Sequence, residues 1–193
     1  MPRLKVNNYV FYRELEVSKE EIRYDSWRAG SFNKENLIKD IEEEFKVNGA
    51  SDKVPPFQTK VNLYDRVKHK KHWSDLYKKI QHCLMRYYVR DFELKESWAN
   101  KAVENSAFGF HTHDRDITVV YYVKNNYPEF GTNIDEQVII PGVEDSLLIF
   151  DGKIRHQLCN MPFELAVHPH NHRYSIVFDF NIDKSTNPDN IAK

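Results

Sequence analysis

The sequence has few of the residues and segments that mark secreted, disulfide-linked or membrane proteins. Its 193 residues include 2 cysteines, Cys83 and Cys159, which are too few for a disulfide framework and predict a reducing, cytoplasmic environment. The longest apolar runs, such as Val119–Val123, have four or five residues, whereas a membrane-spanning helix needs about twenty. Residues 1–12 carry charges and Asn where a signal peptide has a continuous apolar stretch. We therefore expect a cytoplasmic protein without a membrane segment.

The sequence also lacks a net charge of either sign. Its 28 Lys and Arg residues and 29 Asp and Glu residues give a net charge of −1, so no overall field attracts it to nucleic acid or to an anionic membrane. A basic stretch with interleaved aromatic residues, Arg66–Lys79, leaves a non-catalytic nucleic-acid-binding module as an alternative, but the near-zero net charge argues against it. Aromatic residues are abundant, with 12 Phe, 11 Tyr and 3 Trp, and these can fill the core of a folded domain.

The first half of the chain has helical periodicity, and the second half has the period of strands. Apolar residues recur at helical spacing in Asn36–Val47 and most clearly in Trp73–Tyr88. From about residue 98 the period is two, and turn residues separate six predicted strands: Phe108–His113, Ile117–Val123, Gln137–Ile140, Leu147–Phe150, His156–Cys159 and Arg173–Asn181. Many short strands without helices between them predict an antiparallel sandwich or barrel, with the helices packed on an outer face.

Histidines are concentrated in the strand-rich half. Residues i and i+2 of a strand point to the same side, so His111 and His113 can reach one metal ion. His156, on another predicted strand, is the candidate third ligand. Because the pattern His-x-His is common without a metal, these residues form a hypothesis that needs a second observation.

The last predicted strand supplies that second observation, an arginine that a barrel would bury. Alternation places Arg173, Ser175 and Val177 on one face, and neither face of the strand is fully polar. A buried guanidinium needs an anion, and no acidic residue stands at an obvious pairing position. Since the planar fork of arginine suits a carboxylate, and a nearby hydroxyl can complete the clamp, the missing partner could be a bound ligand.

In their order along the chain, these motifs resemble those of the iron(II)- and 2-oxoglutarate-dependent dioxygenases, closest to the prolyl-hydroxylase-like branch and its bacterial and phage relatives. The resemblance covers roughly residues 98–181. It implies a mainly β fold with flanking helices, the double-stranded β-helix, which is a cupin-like jelly-roll barrel. The chain would divide into a helical support region at 1–97 integrated with the barrel, a catalytic double-stranded β-helix at 98–183 and a tail at 184–193.

The resemblance also implies a role for each matched residue. An Fe(II) ion would be held by His111 and His156, with His113 at the position of the third ligand. The far carboxylate of the cosubstrate, 2-oxoglutarate, would be bound by Arg173 and Tyr122, with Ser175 beside them. The reaction would be an oxidation, by default hydroxylation of a peptidyl or small-molecule substrate with succinate and CO2 as coproducts. A nucleobase substrate remains open as well.

One departure from the family pattern concerns the third metal ligand. The usual His-x-Asp/Glu reads His111-Thr112-His113 here, so an imidazole takes the carboxylate position and the charge of the site rises by one. Asp114 or Asp116 could supply the carboxylate after a bulge. In a regular strand both face wrongly or lie too far along, and His113 is therefore favoured.

A second departure is the spacing between the last two motifs. From His156 to Arg173 the chain advances 173 − 156 = 17 residues, more than the family usually has. The additional residues include His168, His170 and His172, which could form a second metal site or a lid. Pro169 and the polar surroundings favour a mobile surface loop.

A cupin-type metal-binding protein or metalloenzyme that does not use 2-oxoglutarate is the main alternative. The segments Gly109–His113 and His156–Asn160 also resemble cupin histidine motifs. Cupins share the barrel, and three histidines can hold zinc with a catalytic water, or iron without 2-oxoglutarate. The combination of Arg173 and Tyr122 favours the dioxygenase, and a requirement for 2-oxoglutarate in oxygen uptake would separate the two.

Overall fold

The computed structural model describes residues 9–12, 21–26, 32–51, 57–87, 91–103 and 109–183. Besides a 3-10 turn at Pro169–Asn171, the elements in these ranges are β1 Tyr9–Tyr12, β2 Glu21–Ser26, α1 Lys34–Asn48, β3 Phe57–Gln58, α2 Leu63–Val67, α3 Lys71–Tyr87, β4 Phe92–Ala102, β5 Ile117–Lys124, β6 Thr132–Ile134, β7 Val138–Ile140, β8 Ser146–Phe150, β9 His156–Leu158, α4 Phe163–Ala166 and β10 Arg173–Ile182.

The strands form two antiparallel sheets. The large sheet has seven strands in the order β1-β2-β8-β5-β10-β4-β3, and the small sheet has three in the order β7-β6-β9. At the centre of the large sheet, β10 pairs with β4 on one side and with β5 on the other. The predicted strands from Ile117 onward are present, and the mainly β fold with flanking helices is confirmed.

Both faces of the large sheet are covered, as the residue pattern of the last strand predicts. Alternate residues of β5, β8 and β10 face the helices in one apolar cluster and the small sheet in another. The helix-side cluster includes Val119, Tyr121, Leu147, Ile149, Ile176, Phe178 and Phe180. The inner cluster includes Trp98, Val120, Tyr122, Leu148, Phe150, Val177 and, from the small sheet, Ile134 and Ile140.

Helices α1 and α3 match the predicted helices. Both begin two residues earlier than predicted, α1 ends one residue later, and α3 ends one residue earlier. The first begins after Asn33, whose side chain accepts from the Asn36 N–H at 3.0 Å, and ends at Gly49, whose φ of +71° suits a residue without Cβ. The apolar stripe of α3 lies in the core, with Trp73, Leu76, Ile80 and Leu84 all fully buried. None of the helices in the described ranges is both long and apolar enough to cross a membrane.

A buried carboxylate joins these two helices. Asp40 of α1 accepts hydrogen bonds from Lys70 Nζ at 2.7 Å and Trp73 Nε1 at 2.9 Å, and its other contact is His72 Nε2 at 2.7 Å. Burial opposes ionisation of this group, but the three donors outweigh it and hold the pKa of Asp40 below its ordinary value. The helical layer is therefore fixed by a polar contact in addition to its apolar stripe.

Two details of the predicted architecture are wrong. In the described residues the two sheets face each other without closing into a barrel. The predicted strand Phe108–His113 is absent from residue 109 onward, where a single bridge joins His111 to His156, and Phe108 lies outside the described residues. The reason is local, because the His113 N–H is satisfied by Gly152 O at 2.7 Å instead of a strand partner.

The domain division at residues 97 and 98 remains a prediction. The proposed boundary falls inside β4, Phe92–Ala102, whose residues on both sides of it pair with β10. The predicted tail, 184–193, lies outside the described residues.

Candidate metal centre and ligand cavity

Three histidine rings meet between the two sheets. The backbones of His111 and His156 exchange both hydrogen bonds of a bridge, at 3.0 and 2.9 Å, and His113 follows two residues after His111. The possible ligand atoms of the three side chains all lie within 4.8 Å of one another, and the ring centroids are 4.4 to 5.2 Å apart. Among the described residues this is the one group of three or more His, Cys, Asp or Glu that meets this distance.

Each of the three rings makes a hydrogen bond through Nδ1. His111 Nδ1 lies 2.9 Å from Gly109 O, and His156 Nδ1 lies 2.8 Å from Ile154 O. Because a carbonyl oxygen can only accept, these Nδ1 atoms carry the proton and Nε2 has the lone pair. His113 has its Nδ1 at a carboxylate, that of Asp179, which gives the same assignment. Three neutral Nε2 donors fit a divalent metal such as Fe(II) or Zn(II).

The electrostatic surroundings favour the uncharged form of two of these rings. Burial, with a smaller contribution from the neighbouring imidazoles, lowers the pKa of His156 to about 3 against the opposing effect of the Ile154 carbonyl. Partial burial lowers the pKa of His111 in the same direction. A metal binds the deprotonated imidazole, so neither ring has to lose a proton near neutral pH.

The other candidates for the third ligand point elsewhere. Asp116 Oδ2 accepts from the Ile182 N–H at 2.9 Å, at the end of β10. Asp114 is exposed, and neither carboxylate belongs to the group of possible ligands. The geometry thus brings His113, and not these two residues, to the other histidines.

A buried carboxylate that the sequence analysis missed lies behind His113. Asp179 is 2% exposed, and its Oδ2 and Oδ1 lie 2.9 and 3.0 Å from His113 Nδ1. Thr118 Oγ1 donates to the same carboxylate at 2.8 Å. Strand alternation holds the signal, because Asp179 follows Ser175 and Val177 on the inner face of β10.

The inner face of the three central strands is organised in rows. Register pairs across β4, β10 and β5 give one polar row, one apolar row and a second polar row: Asn100–Ser175–Tyr122, Trp98–Val177–Val120 and Glu96–Asp179–Thr118. The predicted cosubstrate residues lie at one end of this surface, and Asp179 with the histidines lies at the other.

A cavity of about 310 Å³ opens beside the histidines. It is lined by residues of both sheets and of the segment before α2: Gln58, Val61, Glu96, Trp98, Asn100, His111, His113, Val120, Thr132, His156, Gln157, Leu158 and Val177. The ring centroid of Trp98 is 5.3 Å from that of His113, so this tryptophan is both part of the inner core and a cavity wall.

Arg173 is buried without a carboxylate partner among the described residues. It is 4% exposed. Its NH1 donates to Phe130 O, and its NH2 donates to Cys159 O at 2.8 Å, while its Nε is buried with no hydrogen-bond partner. Burial lowers the pKa of Arg173 to about 10, so the group is still cationic at neutral pH. The two carbonyls accept from the two terminal nitrogens of Arg173, but they do not neutralise its charge.

The other predicted cosubstrate residues adjoin Arg173. A narrow space of about 20 Å³ is lined by Arg173, Tyr122, Ser175 and Asn100, and Asn100 also lines the larger cavity. Tyr122 OH lies 2.7 Å from Thr132 Oγ1, a residue of the larger cavity. The Asn100 side chain donates to Ser175 Oγ at 3.4 Å, and its Oδ1 is buried without a partner. Asn100 is a second residue that the sequence analysis missed.

The histidines of the segment between His156 and Arg173 lie apart from this centre. The segment forms α4 and the 3-10 turn. His168 and His170 are exposed and stack on each other at 5.3 Å between ring centroids. In the described ranges they do not join a third possible ligand, so the second metal site is not formed.

Comparison with known proteins rests on the fold alone. No protein-family model matches the sequence, and no curated protein matches it. Solved structures do match: the 2-oxoglutarate-dependent carbocyclase SnoK from nogalamycin biosynthesis aligns with a TM-score of 0.64 at 9% identity, over 84% of this chain and 79% of that one. The chain has the fold of the 2-oxoglutarate–Fe(II) oxygenases.

Prolyl hydroxylases are among the structures that share this fold. A prolyl 4-hydroxylase from Phytophthora capsici aligns with a TM-score of 0.60 at 12% identity over 87% of this chain, which spans 61% of that protein. The viral collagen prolyl hydroxylase of Paramecium bursaria Chlorella virus-1, solved with 2-oxoglutarate, aligns with a TM-score of 0.56 at 10% identity, over 82% of this chain and 94% of that one. At identities this low, the shared fold does not indicate which substrate this chain acts on.

Proposed function

We propose that this protein is an Fe(II)- and 2-oxoglutarate-dependent oxygenase. The single observation that carries the proposal is that two features occur together. Three imidazoles converge, and a buried cation, Arg173, has no carboxylate partner among the described residues. A metal alone would explain the histidines. A dianion that ligates the metal with one end and meets Arg173 with the other explains both.

The residues of the chain would hold, orient and enclose the reactants. His111, His113 and His156 would hold Fe(II) through Nε2, which leaves coordination positions for cosubstrate and oxygen. The bound metal and cosubstrate supply the oxidative chemistry, and the protein contributes position and electrostatics. Arg173 would bind the far carboxylate as a charge-assisted pair, and the Tyr122 hydroxyl can turn from Thr132 towards it.

We propose hydroxylation of a peptidyl or small-molecule substrate, with succinate and CO2 as coproducts. The substrate would enter over Trp98, because this ring walls the cavity next to His113. We also propose that residues 98–183 are the catalytic unit and 1–97 its support. The two cysteines favour a cytoplasmic location.

The test is anaerobic reconstitution with Fe(II), followed by metal analysis and measurement of succinate formed from 2-oxoglutarate. We expect one equivalent of iron and slow turnover of 2-oxoglutarate even without the primary substrate. His113→Ala should lose iron, and Arg173→Ala should keep iron but lose turnover. Lys71→Ala is the control, because it breaks an exposed ion pair between Lys71 and Asp75 on α3, a helix that packs on the face of the large sheet opposite to the cavity, and it should leave both readings unchanged. Iron bound with no succinate at any 2-oxoglutarate concentration would refute the proposal.

A cupin-type metalloenzyme that does not use 2-oxoglutarate is the second candidate. The observation that favours it is the ligand set itself, because three neutral imidazoles without a carboxylate are also the donors of a catalytic zinc site. This candidate predicts zinc in the purified protein and leaves the isolated charge of Arg173 unexplained. Oxygen uptake that does not depend on 2-oxoglutarate would favour it.

A further inference from the structure

We propose that Asp179 is a positioning residue for the metal, which acts through His113 and supplies the negative charge that the ligand set lacks. The inference rests on the metal centre of the proposed function. A first ligand shell of three neutral histidines has one negative charge fewer than the two-histidine, one-carboxylate set of non-haem iron enzymes. Asp179 places a carboxylate next to this centre without being a ligand itself, because it contacts His113 through Nδ1.

The first step in the argument is the geometry of the His113 ring. Its Nδ1 is nearly equidistant from the two oxygens of Asp179, at 2.9 and 3.0 Å, so Nε2 is the nitrogen left to serve as the metal ligand in the group of three histidines. A carboxylate that accepts from the second nitrogen of a ligating histidine fixes the ring and makes it a stronger donor. In the corresponding place, the Nδ1 atoms of His111 and His156 contact the backbone carbonyls of Gly109 and Ile154.

The second step is the unbalanced charge of Asp179 itself. The side chain is 2% exposed, and its described contacts are His113 and the hydroxyl of Thr118. The basic side chain of Arg115 pairs with Glu96, the residue opposite Asp179 on β4, and not with Asp179. A buried carboxylate without a cation is costly in a folded protein. A divalent metal on the opposite nitrogen of His113 would compensate it through the ring.

The third step is that strand pairing fixes this carboxylate in place. Asp179 stands opposite Thr118 of β5 and opposite Glu96 of β4, so it lies in the middle of three paired strands. Thr118 Oγ1 contacts both Asp179 Oδ1, at 2.8 Å, and His113 Nδ1, at 3.1 Å. The carboxylate, hydroxyl and ring therefore form one closed group that cannot reorient without disturbing the sheet.

The experiment measures Co(II) binding to the apo-protein, by titration and by the visible absorption of the bound ion, without 2-oxoglutarate. Asp179→Asn keeps the shape and an acceptor for His113 but removes the charge. We expect its Kd for Co(II) to rise 10- to 100-fold, the usual cost of losing such a partner, with a shifted absorption band. The matched control is Asp116→Asn, which removes a nearby carboxylate that contacts the Ile182 N–H and no histidine. It should bind Co(II) as the unmodified protein does.

Thermal unfolding of the apo-proteins separates positioning from a merely structural role. Asp179→Asn should lower the midpoint no more than Asp116→Asn, because it removes a buried charge and keeps a polar side chain. A large fall in the midpoint with an unchanged Kd for Co(II) would overturn the proposal. So would a Kd within twofold of the unmodified protein at equal stability.

A measurement on the unmodified protein covers the case in which Asp179→Asn fails to fold. In the Zn(II)-loaded protein, ¹⁵N NMR of the imidazoles should show His113 bound through Nε2 with a proton retained on Nδ1. Binding through Nδ1 would contradict the proposal. These outcomes are independent of the proposed activity, because a protein that binds Co(II) but never forms succinate would refute the oxygenase while leaving Asp179 testable.

Discussion

Replacement of Arg173 by leucine tests how much this guanidinium contributes to the binding of an anion. Burial lowers the pKa of Arg173 from 12.5 to about 10, and each pKa unit corresponds to about 1.4 kcal/mol. The folded protein therefore holds the charged guanidinium at a cost of roughly 3 kcal/mol, and this cost applies at every pH below about 10. A carboxylate bound beside Arg173 would recover most of it. Removing one partner of such a buried pair costs on the order of 2–5 kcal/mol of binding free energy.

Arg173→Leu should therefore raise the Kd for 2-oxoglutarate by about 30- to 5,000-fold, since about 1.4 kcal/mol is a factor of ten. The stability of the unliganded protein should change far less, because leucine removes the desolvated charge together with the hydrogen bonds to Phe130 O and Cys159 O. Calorimetric titration of 2-oxoglutarate into Mn(II)-loaded protein measures the first effect, and denaturant unfolding of the apo-protein measures the second. A Kd within twofold of the unmodified protein, with Mn(II) still bound, would refute the reasoning.

Three further predictions concern Tyr122, Gly152 and Asp40. Tyr122→Phe should raise the Kd for 2-oxoglutarate about tenfold, because it removes one hydroxyl donor to a charged group; titration as above checks it, and no change would exclude the tyrosine. Gly152→Ala should lower stability by about 1–3 kcal/mol, since an added Cβ would lie 2.5 Å from Arg115 O. The variant should also weaken Co(II) binding, because this clash would displace the Gly152 carbonyl that accepts from the His113 N–H; equal Co(II) affinity would contradict this. Asp40→Asn should destabilise by about 2–4 kcal/mol at pH 7, because it breaks an ion pair and weakens the contact to the buried Trp73 N–H. The folded pKa of Asp40 is lowered, so its contribution is complete above the unfolded pKa and is lost as pH falls through the folded value. Denaturant melts should then show the variant and the unmodified protein converging below about pH 4, and a constant difference there would refute the assignment.

The parts of the fold that the sequence predicts are those set by local periodicity. The stripe of α3 and the alternation of β10 each bury the residues that their spacing indicates. The pairing of β2 with β8 joins residues more than 100 positions apart, and no local pattern reports it. The closed barrel was inferred from the family resemblance, whereas the His111 segment contributes one bridge and ends there.

The candidate site was predictable to the extent that its residues repeat on one strand face. His111 and His113 are brought together with His156, and Tyr122 stands opposite Ser175. Asp179 is the next inward position of β10 after Val177, so strand alternation also indicates this carboxylate, although no sequence pattern connects it with His113. Asn100 could not be found in this way, because its importance comes from an unpaired oxygen that only the packed structure reveals.

Strand β10 has a consequence for how this protein could change its specificity. Arg173 and Asp179 face the same side of one strand, six residues or about 20 Å of backbone apart, and paired strands flank it on both sides. This strand therefore fixes the distance between Arg173, at the proposed anion site, and Asp179, beside the candidate metal centre. A variant that altered the span would have to break the sheet, whereas Gln58, Val61 and Gln157 at the cavity wall lie off that strand. New substrates should therefore be acquired by exchanging these wall residues while the proposed binding site for 2-oxoglutarate stays the same.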